Sequence, residues 1–301
     1  MRRAEKTAWL LAVDGSPDAE RAARYVARVA RTQRVSEIHL LNVQPLHDLR
    51  TYALRRAEIE RHAEEMAMGI TAPARTLLES AGLVVRMHFA LGGDPAAMIA
   101  AAARRQRARE IVMGTRGMSA VGNLALGSVA YKVIHLSRQA VTLVPRPHAG
   151  RGEPLAESRD PLRILLAVDG SAHAARATAY VCAMQKTGVP LTVHLLNVQP
   201  RVVSGNVRRF ISQKEINAYF RKQGENALRP ASRLLDRAGV KYECHVDAGP
   251  LAETIVKEAH DCRCSRIVMG TRGLGAVRGL LLGSVTYGVV HLTGTPVTLV
   301  K

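Results

Sequence analysis

The sequence predicts an α/β protein built as two tandem domains, each an open parallel sheet with helices on both faces. Three observations predict it. The 301 residues contain one module written twice. Each copy alternates strand-length apolar runs with longer stretches of helical character, a pattern that calls for parallel strands joined by right-handed crossovers. The first strand of each copy ends in Asp-Gly-Ser, a turn followed by a helix N-cap.

The repetition is direct. Leu10-Leu-Ala-Val-Asp-Gly-Ser16 recurs as Leu165-Leu-Ala-Val-Asp-Gly-Ser171, and Ile38-His-Leu-Leu-Asn-Val-Gln-Pro45 as Val193-His-Leu-Leu-Asn-Val-Gln-Pro200. Ile111-Val-Met-Gly-Thr-Arg-Gly117 recurs as Ile267-Val-Met-Gly-Thr-Arg-Gly273, Leu126-Gly-Ser-Val129 as Leu282-Gly-Ser-Val285, and Val141-Thr-Leu-Val144 as Val297-Thr-Leu-Val300. The offset stays at 155–157 residues, which marks a duplicated domain and not a short-period solenoid. The expected domains are 1–146 and 162–301, joined by a linker at 147–161. The stretch 145–161 holds four prolines and two glycines, a linker composition.

The elements of the first copy follow in order. Trp9–Val13 is a continuous apolar run, suited to a parallel strand buried on both faces. Ser16-Pro17-Asp18 supplies an N-cap, a first-turn proline and an acid at the positive end of a helix reaching about Thr32. Ile38–Val43 is the second strand, stopped by Pro45. Residues 50–81 are helical in character with an expected interruption at Pro73, matched by Pro230 in the second copy. Leu83–Leu91 is the third strand, Pro95–Gln106 a helix and Glu110–Met113 the fourth strand. A helix over Leu126–Leu136 and a strand over Val141–Val144 complete the module.

Composition excludes several classes. Hydrophobic residues make up 47% and charged residues 23%, an ordinary globular balance that argues against disorder. With aromatics at 4%, the core must be aliphatic and rich in alanine. No apolar run reaches the 18 or so residues of a membrane span, and the charged start, Met1-Arg2-Arg3-Ala4-Glu5-Lys6, is unlike a secretory signal. The four cysteines, Cys182, Cys244, Cys262 and Cys264, all lie in the second half, so no disulfide framework defines the repeated fold. The expectation is a soluble, cytoplasmic protein. The net charge is +18, from 22 Lys and Arg against 13 Asp and Glu in residues 1–150 and 21 against 12 in residues 151–301. A charge spread so evenly, at +9 in each half, weakens the nucleic-acid reading that a basic chain invites.

The segment that carries chemistry is Gly114-Thr-Arg-Gly117, nine residues, then Gly127-Ser128. Its counterpart is Gly270-Thr-Arg-Gly273, nine residues, then Gly283-Ser284. A glycine loop after a strand lets backbone N–H groups approach an anion without a Cβ in the way. The helix start that follows adds free N–H groups and the positive end of a dipole. The serine hydroxyl is a further donor, or a contact for a metal bound to phosphates. Arg116 and Arg272, inside the loop, can fork onto phosphate. Asp14 and Asp169 sit at the carboxyl end of the first strand. They share a crevice with the loop if strands one and four flank the point where strand order reverses. A carboxylate would repel phosphates, so its expected place is at the nucleoside end. Turn-shaping alone is the other reading of these glycines.

With these motifs in both copies, the chain resembles the universal stress protein family, in its tandem form and its ATP-binding subclass. The resemblance implies an adenine nucleotide alpha hydrolase-like fold with five strands per sheet in the order 3-2-1-4-5. It also implies ATP with Mg as ligand. In the first copy it implies a site lined by Ala12, Asp14, Val43, Met113, Gly114, Arg116, Gly117, Gly127, Ser128 and Val129. In the second copy these become Ala167, Asp169, Val198, Met269, Gly270, Arg272, Gly273, Gly283, Ser284 and Val285. Family dimers pair through the fifth strand. The resemblance therefore implies an intrachain pseudo-dimer, or a homodimer of tandem chains, with an unidentified protein partner downstream.

Other signals carry less. No Walker A pattern is present. Gly273-Leu-Gly275-Ala-Val-Arg-Gly279 resembles a dinucleotide loop, but the first copy lacks its middle glycine. His39/His194, His88/His245 and His135/His291 recur at the repeat offset, which favours a role in the fold over catalysis. His260-Asp-Cys262-Arg-Cys264 is a weak metal or redox signal, with one cysteine expected in the core, and no metal ligands are assigned from it. Arg104-Arg-Gln-Arg-Ala-Arg109 fits a solvated helix end near a negative dipole terminus. The leading functional expectation is an ATP-binding stress regulator or sensor with no catalytic residues. Its rivals are a slow ATPase or phosphotransferase, and a basic protein that binds nucleic acid or another polyanion.

Overall fold

The computed structural model describes residues 7–44, 56–117, 126–146, 161–200, 212–274 and 282–301. The chain divides into two compact units, Met1–Arg146 and Pro147–Lys301. The expected linker, apart from Pro161, lies outside the described residues, as does Gly275–Gly279 of the dinucleotide-like loop.

In the first unit β1 (Thr7–Ala12), α1 (Pro17–Val29), β2 (Val35–Gln44), α2 (Arg56–Ser80) and β3 (Val85–Leu91) come first. They are followed by α3 (Pro95–Arg105), β4 (Glu110–Gly114), α4 (Ser128–Leu136) and β5 (Ala140–Val144). The strands are parallel and lie in the order β3-β2-β1-β4-β5. The chain runs outward through β2 and β3, then crosses back to place β4 on the other side of β1. Strand order therefore reverses between β1 and β4, where Leu11 pairs with Val112. That is the crevice in which open α/β sheets bind ligands.

The second unit repeats the plan with β6 (Leu162–Ala167), α5 (Ala172–Lys186), β7 (Leu191–Gln199), α6 (Gln213–Ala238) and β8 (Tyr242–Ala248). Then come α7 (Leu251–Asp261), β9 (Arg266–Gly270), α8 (Ser284–Leu292) and β10 (Val297–Val300). Its order is β8-β7-β6-β9-β10, again parallel.

Two helices cover each face of a sheet: α1 packs with α2 and α3 with α4, as α5 does with α6 and α7 with α8. β1 is buried at all six positions, as its unbroken apolar run requires. Trp9, Leu11 and Val13 meet Ala22, Ala23 and Val26 of α1 and Leu78 of α2 in an aliphatic, alanine-rich core. The second unit builds the same core from Ile164, Leu166, Val181, Leu195, Leu228 and Leu235.

The expected interruption at Pro73 is absent: α2 runs through it, and α6 runs through Pro230. Both prolines are exposed. Ala63, Ala67, Thr71, Ala74 and Leu78 form one buried stripe that continues across Pro73. An interior proline costs about 3 kcal/mol, less than several buried side chains contribute, so packing keeps the helix whole. Among the described residues no helix is long and apolar enough to cross a membrane.

Candidate nucleotide site

The turn after the first strand is built alike in both units. Gly15 and Gly170 hold φ at +83° and +84°, a left-handed conformation that glycine adopts without strain. Asp14 Oδ1 and Asp169 Oδ1 each accept the N–H two residues on, Ser16 and Ser171, at 3.0 Å. Those serines cap α1 and α5. On the neighbouring strand, Asn42 Nδ2 and Asn197 Nδ2 donate to the carbonyls of Val13 and Val168 at 2.7 Å. Gln44 and Gln199 in turn donate to the two asparagine side chains. The repeated Leu-Leu-Asn-Val-Gln-Pro segment therefore splices the ends of the first two strands.

The glycine loop fits against this edge with no room for side chains. A Cβ on Gly114 would lie 2.7 Å from the backbone of Asp18, and one on Gly270 would lie 2.6 Å from His173 Cβ. A Cβ on Gly117 would stand 2.5 Å from Asp14 Oδ2, and one on Gly273 would stand 2.6 Å from Asp169 Oδ2. Asp169 Oδ2 also accepts the Leu274 N–H at 2.8 Å. The aspartate thus acts as a latch, one oxygen on the first turn and the other on the glycine loop. This role is additional to the nucleoside contact expected from sequence.

Behind the loop, Gly127 N–H donates to Thr115 O at 2.7 Å and Gly283 N–H to Thr271 O at 2.9 Å. These glycines are the N-caps of α4 and α8, and neither cap has a side-chain hydrogen bond. The first-turn N–H groups of Ser128, Val129, Ser284 and Val285 therefore have no capping side chain to accept them, and Ser284 and Val285 line the cavity of the second unit, the arrangement that suits an anion.

In the second unit all ten residues assigned from sequence line one cavity of about 440 Å³. Val198, Met269, Leu251 and Ile255 give it an apolar part, while Arg272, Gly273, Gly283 and Ser284 give it a polar one. In the first unit Ala12 ends β1, Asp14 follows it, Val43 lies near the end of β2, and Met113 and Gly114 end β4. Arg116 and Gly117 follow in the loop, and Gly127, Ser128 and Val129 form the start of α4.

Leu251 and Ile255 of α7, together with Asn197 and Gln199, were missed from sequence. The repeated Leu-Leu-Asn-Val-Gln-Pro segment was the available signal for the last two. Asp18, read only as a first-turn acid, proves to be 1% exposed. It pairs with Arg21, with Arg146 Nε at 2.9 Å and with the Thr115 hydroxyl at 3.2 Å. Its counterpart is His173, whose pKa is lowered by burial and then by Arg176 and Arg272. The Arg104–Arg109 cluster ends α3 with Arg104, Arg105 and Arg107 exposed.

Comparison with known proteins places these features. The sequence profile of the universal stress protein family matches residues 9–145 and again 162–301. A universal stress protein of Mycolicibacterium smegmatis is 27% identical over 305 residues, covering 97% of this chain and 96% of its own. One from Thermus aquaticus is 36% identical over 144 residues, covering 46% of this chain and 97% of its own. Among solved structures, a universal stress protein from Archaeoglobus fulgidus gives a TM-score of 0.65 at 24% identity, covering 98% of this chain and 96% of that one.

Proposed function

The chain belongs to the universal stress protein family, and from that premise we propose that each of its units holds one ATP with Mg²⁺ and acts as a nucleotide-dependent regulator or sensor in a stress response. One observation carries the reading: the second unit has an apolar cavity whose polar end is an uncapped helix start behind a side-chain-free glycine loop. The apolar part suits a base. The loop and helix N–H groups suit phosphates. Arg116 and Arg272 would add charge-assisted bonds. The residues present fit Mg²⁺ as it accompanies phosphates, with the Ser128 or Ser284 hydroxyl as the protein's oxygen ligand and water completing the shell. The ion supplies neutralisation of phosphate charge.

Regulation is favoured over turnover by the state of the aspartate. Phosphoryl transfer uses a residue that positions or deprotonates the nucleophile. Asp169 is the carboxylate lining the described cavity, and backbone N–H groups hold both its oxygens. The test is nucleotide content. Protein purified without added nucleotide is denatured and the released compounds are identified by chromatography and mass spectrometry. The expected result is ATP at up to two per chain. If none is released, ATP at 100 times its dissociation constant should still stabilise the fold by about 2.7 kcal/mol. Absence of both the released nucleotide and the thermal shift overturns the proposal.

A further inference from the structure

The two recurring histidine pairs are contacts within each unit. His39 Nδ1 lies 2.9 Å from His88 Nε2, and His194 Nδ1 lies 3.1 Å from His245 Nε2. What surrounds the pairs differs. In the first unit the strand position beside His39 is Arg86, which pairs with Glu37. The helix positions facing the pair are Ala102 and Gln106, the C-cap of α3. In the second unit these three positions become Glu243, Glu258 and Cys262. A cation-repelling guanidinium is replaced by a carboxylate, the first unit's own carboxylate at the pair, Glu37 with Oε1 3.5 Å from His39 Nε2, gives way to Thr192, and Glu258 and a thiol are added. The change is confined to one copy, so the fold itself does not require it.

The geometry points to a metal site for a borderline-soft divalent cation, Zn²⁺, held by a ring nitrogen each of His194 and His245 and by Cys262 Sγ, with the exposed Glu243 side chain near enough to turn in as the fourth ligand. One ring nitrogen of each histidine and Cys262 Sγ lie within 4.8 Å of one another. Two nitrogens bound to a tetrahedral zinc at about 2.0–2.1 Å stand about 3.3 Å apart, close to the 3.1 Å observed. Glu243 Oε2 is 3.7 Å from the same His194 nitrogen. The outer contacts are also in place: His245 Nδ1 lies 2.9 Å from Glu258 Oε1. Donation of that Nδ1–H fixes the tautomer that leaves Nε2 free to coordinate, the carboxylate–histidine arrangement usual behind metal-bound imidazole. An open cleft of about 760 Å³ along the edge strand β8 is lined by His245 and Glu258 and gives access from solvent. The turn at Arg263, with φ +50°, separates the cysteines: Cys264 is fully buried, while Cys262 stays half-buried at the cluster.

This site lies away from the nucleotide loop. α7 spans both: its first half lines the cavity and its last turn and cap carry Glu258 and Cys262. The proposal does not depend on ATP binding, and the test is run on nucleotide-free protein. Full-length, tag-free, chelator-treated chain is titrated with Co²⁺ as the spectroscopic probe and then competed with Zn²⁺. The expected result is one equivalent per chain, a tetrahedral ligand-field spectrum and a thiolate-to-cobalt charge-transfer band. Cys262→Ser should remove that band and weaken binding by at least about ten-fold, and Glu258→Gln should keep the band but weaken binding about 10–100-fold. His88→Ala, in the unit that lacks the extra ligands, should change neither. Glu243→Gln, at an exposed position, should weaken binding and serves if Cys262→Ser misfolds. No saturable Co²⁺ binding, a charge-transfer band that survives Cys262→Ser, or equal loss in His88→Ala would each overturn the assignment.

Discussion

The aspartate latch makes Gly273→Ala the most informative single change. Gly273 has no left-handed backbone to strain, so the added methyl acts only through space. Its Cβ would stand 2.6 Å from Asp169 Oδ2, whereas real Cβ contacts essentially never fall under 3.0 Å. Either the loop or the carboxylate must therefore move by at least 0.4 Å, the difference between those two distances. Moving either strains the bond from Leu274 N–H to Asp169 Oδ2, now 2.8 Å. A hydrogen bond to a charged group contributes about 1.5–3 kcal/mol, so affinity in the second unit should fall about 10–100-fold. The assay is ATP titration by calorimetry on nucleotide-free protein, with the first unit's site as internal reference. An affinity in the second unit that is unchanged by Gly273→Ala would refute the latch.

Asp18→Ala removes a carboxylate that is 1% exposed and leaves Arg21 and Arg146 without it. Breaking such a pair costs about 3 kcal/mol, at the low end of the buried range because Arg146 can rehydrate. The midpoint of the first unit's thermal transition should fall by about 6–12 °C, and an unchanged midpoint would contradict the pairing. Acidification should also weaken the first unit. Burial holds the pKa of His39 below 6.5, against the opposing pull of Glu37, and burial followed by His39 does the same for His88, with Arg105 and Arg86 also lowering it. Below 6.5 the unfolded chain then binds more protons than the folded one. Stability from this pair is full above about 6.5 and is lost as pH falls through the folded values. Thermal unfolding between pH 7.5 and 5.5 should show a smaller acid loss in His39→Gln/His88→Gln than in the unsubstituted protein.

The sequence made the fold legible where burial and local chemistry agree. β1 is apolar at every position but Thr7 and is covered on both faces, and the Ser16-Pro17 start of α1 is where its capping residues predict. Pro73 was misread because the local rule was sound but the deciding force was not local. A stripe of buried residues spaced over four turns outweighs one lost N–H. The glycine loop was legible because only glycine survives 2.5–2.7 Å approaches, so the constraint is written in the residue type. Leu251 and Ile255 were not, because nothing in an ordinary amphipathic helix says which of its apolar residues faces a cavity and which faces a strand. The His–His contacts were visible as recurring letters but not as contacts, since the register that brings β2 against β3 is set by the whole sheet.

The two copies diverge beneath the glycine loop and agree within it. Beneath the loop, the first unit has Asp18 and the second His173. The added negative charge in the first is met by two arginines, and the histidine in the second has its pKa lowered by its surroundings. Each solution supports the same strand end by a different charge arrangement, while the glycines, the latch aspartate and the uncapped helix start are kept in both. A position that touches only the scaffold can change once its charge is compensated nearby. A glycine with a carboxylate oxygen 2.5 Å from its missing Cβ cannot. On this reasoning Asp18→Ala should lower the stability of the first unit while leaving its ATP affinity, measured well below the melting temperature, close to that of the unsubstituted protein. Gly117→Ala should lower the ATP affinity of the first unit.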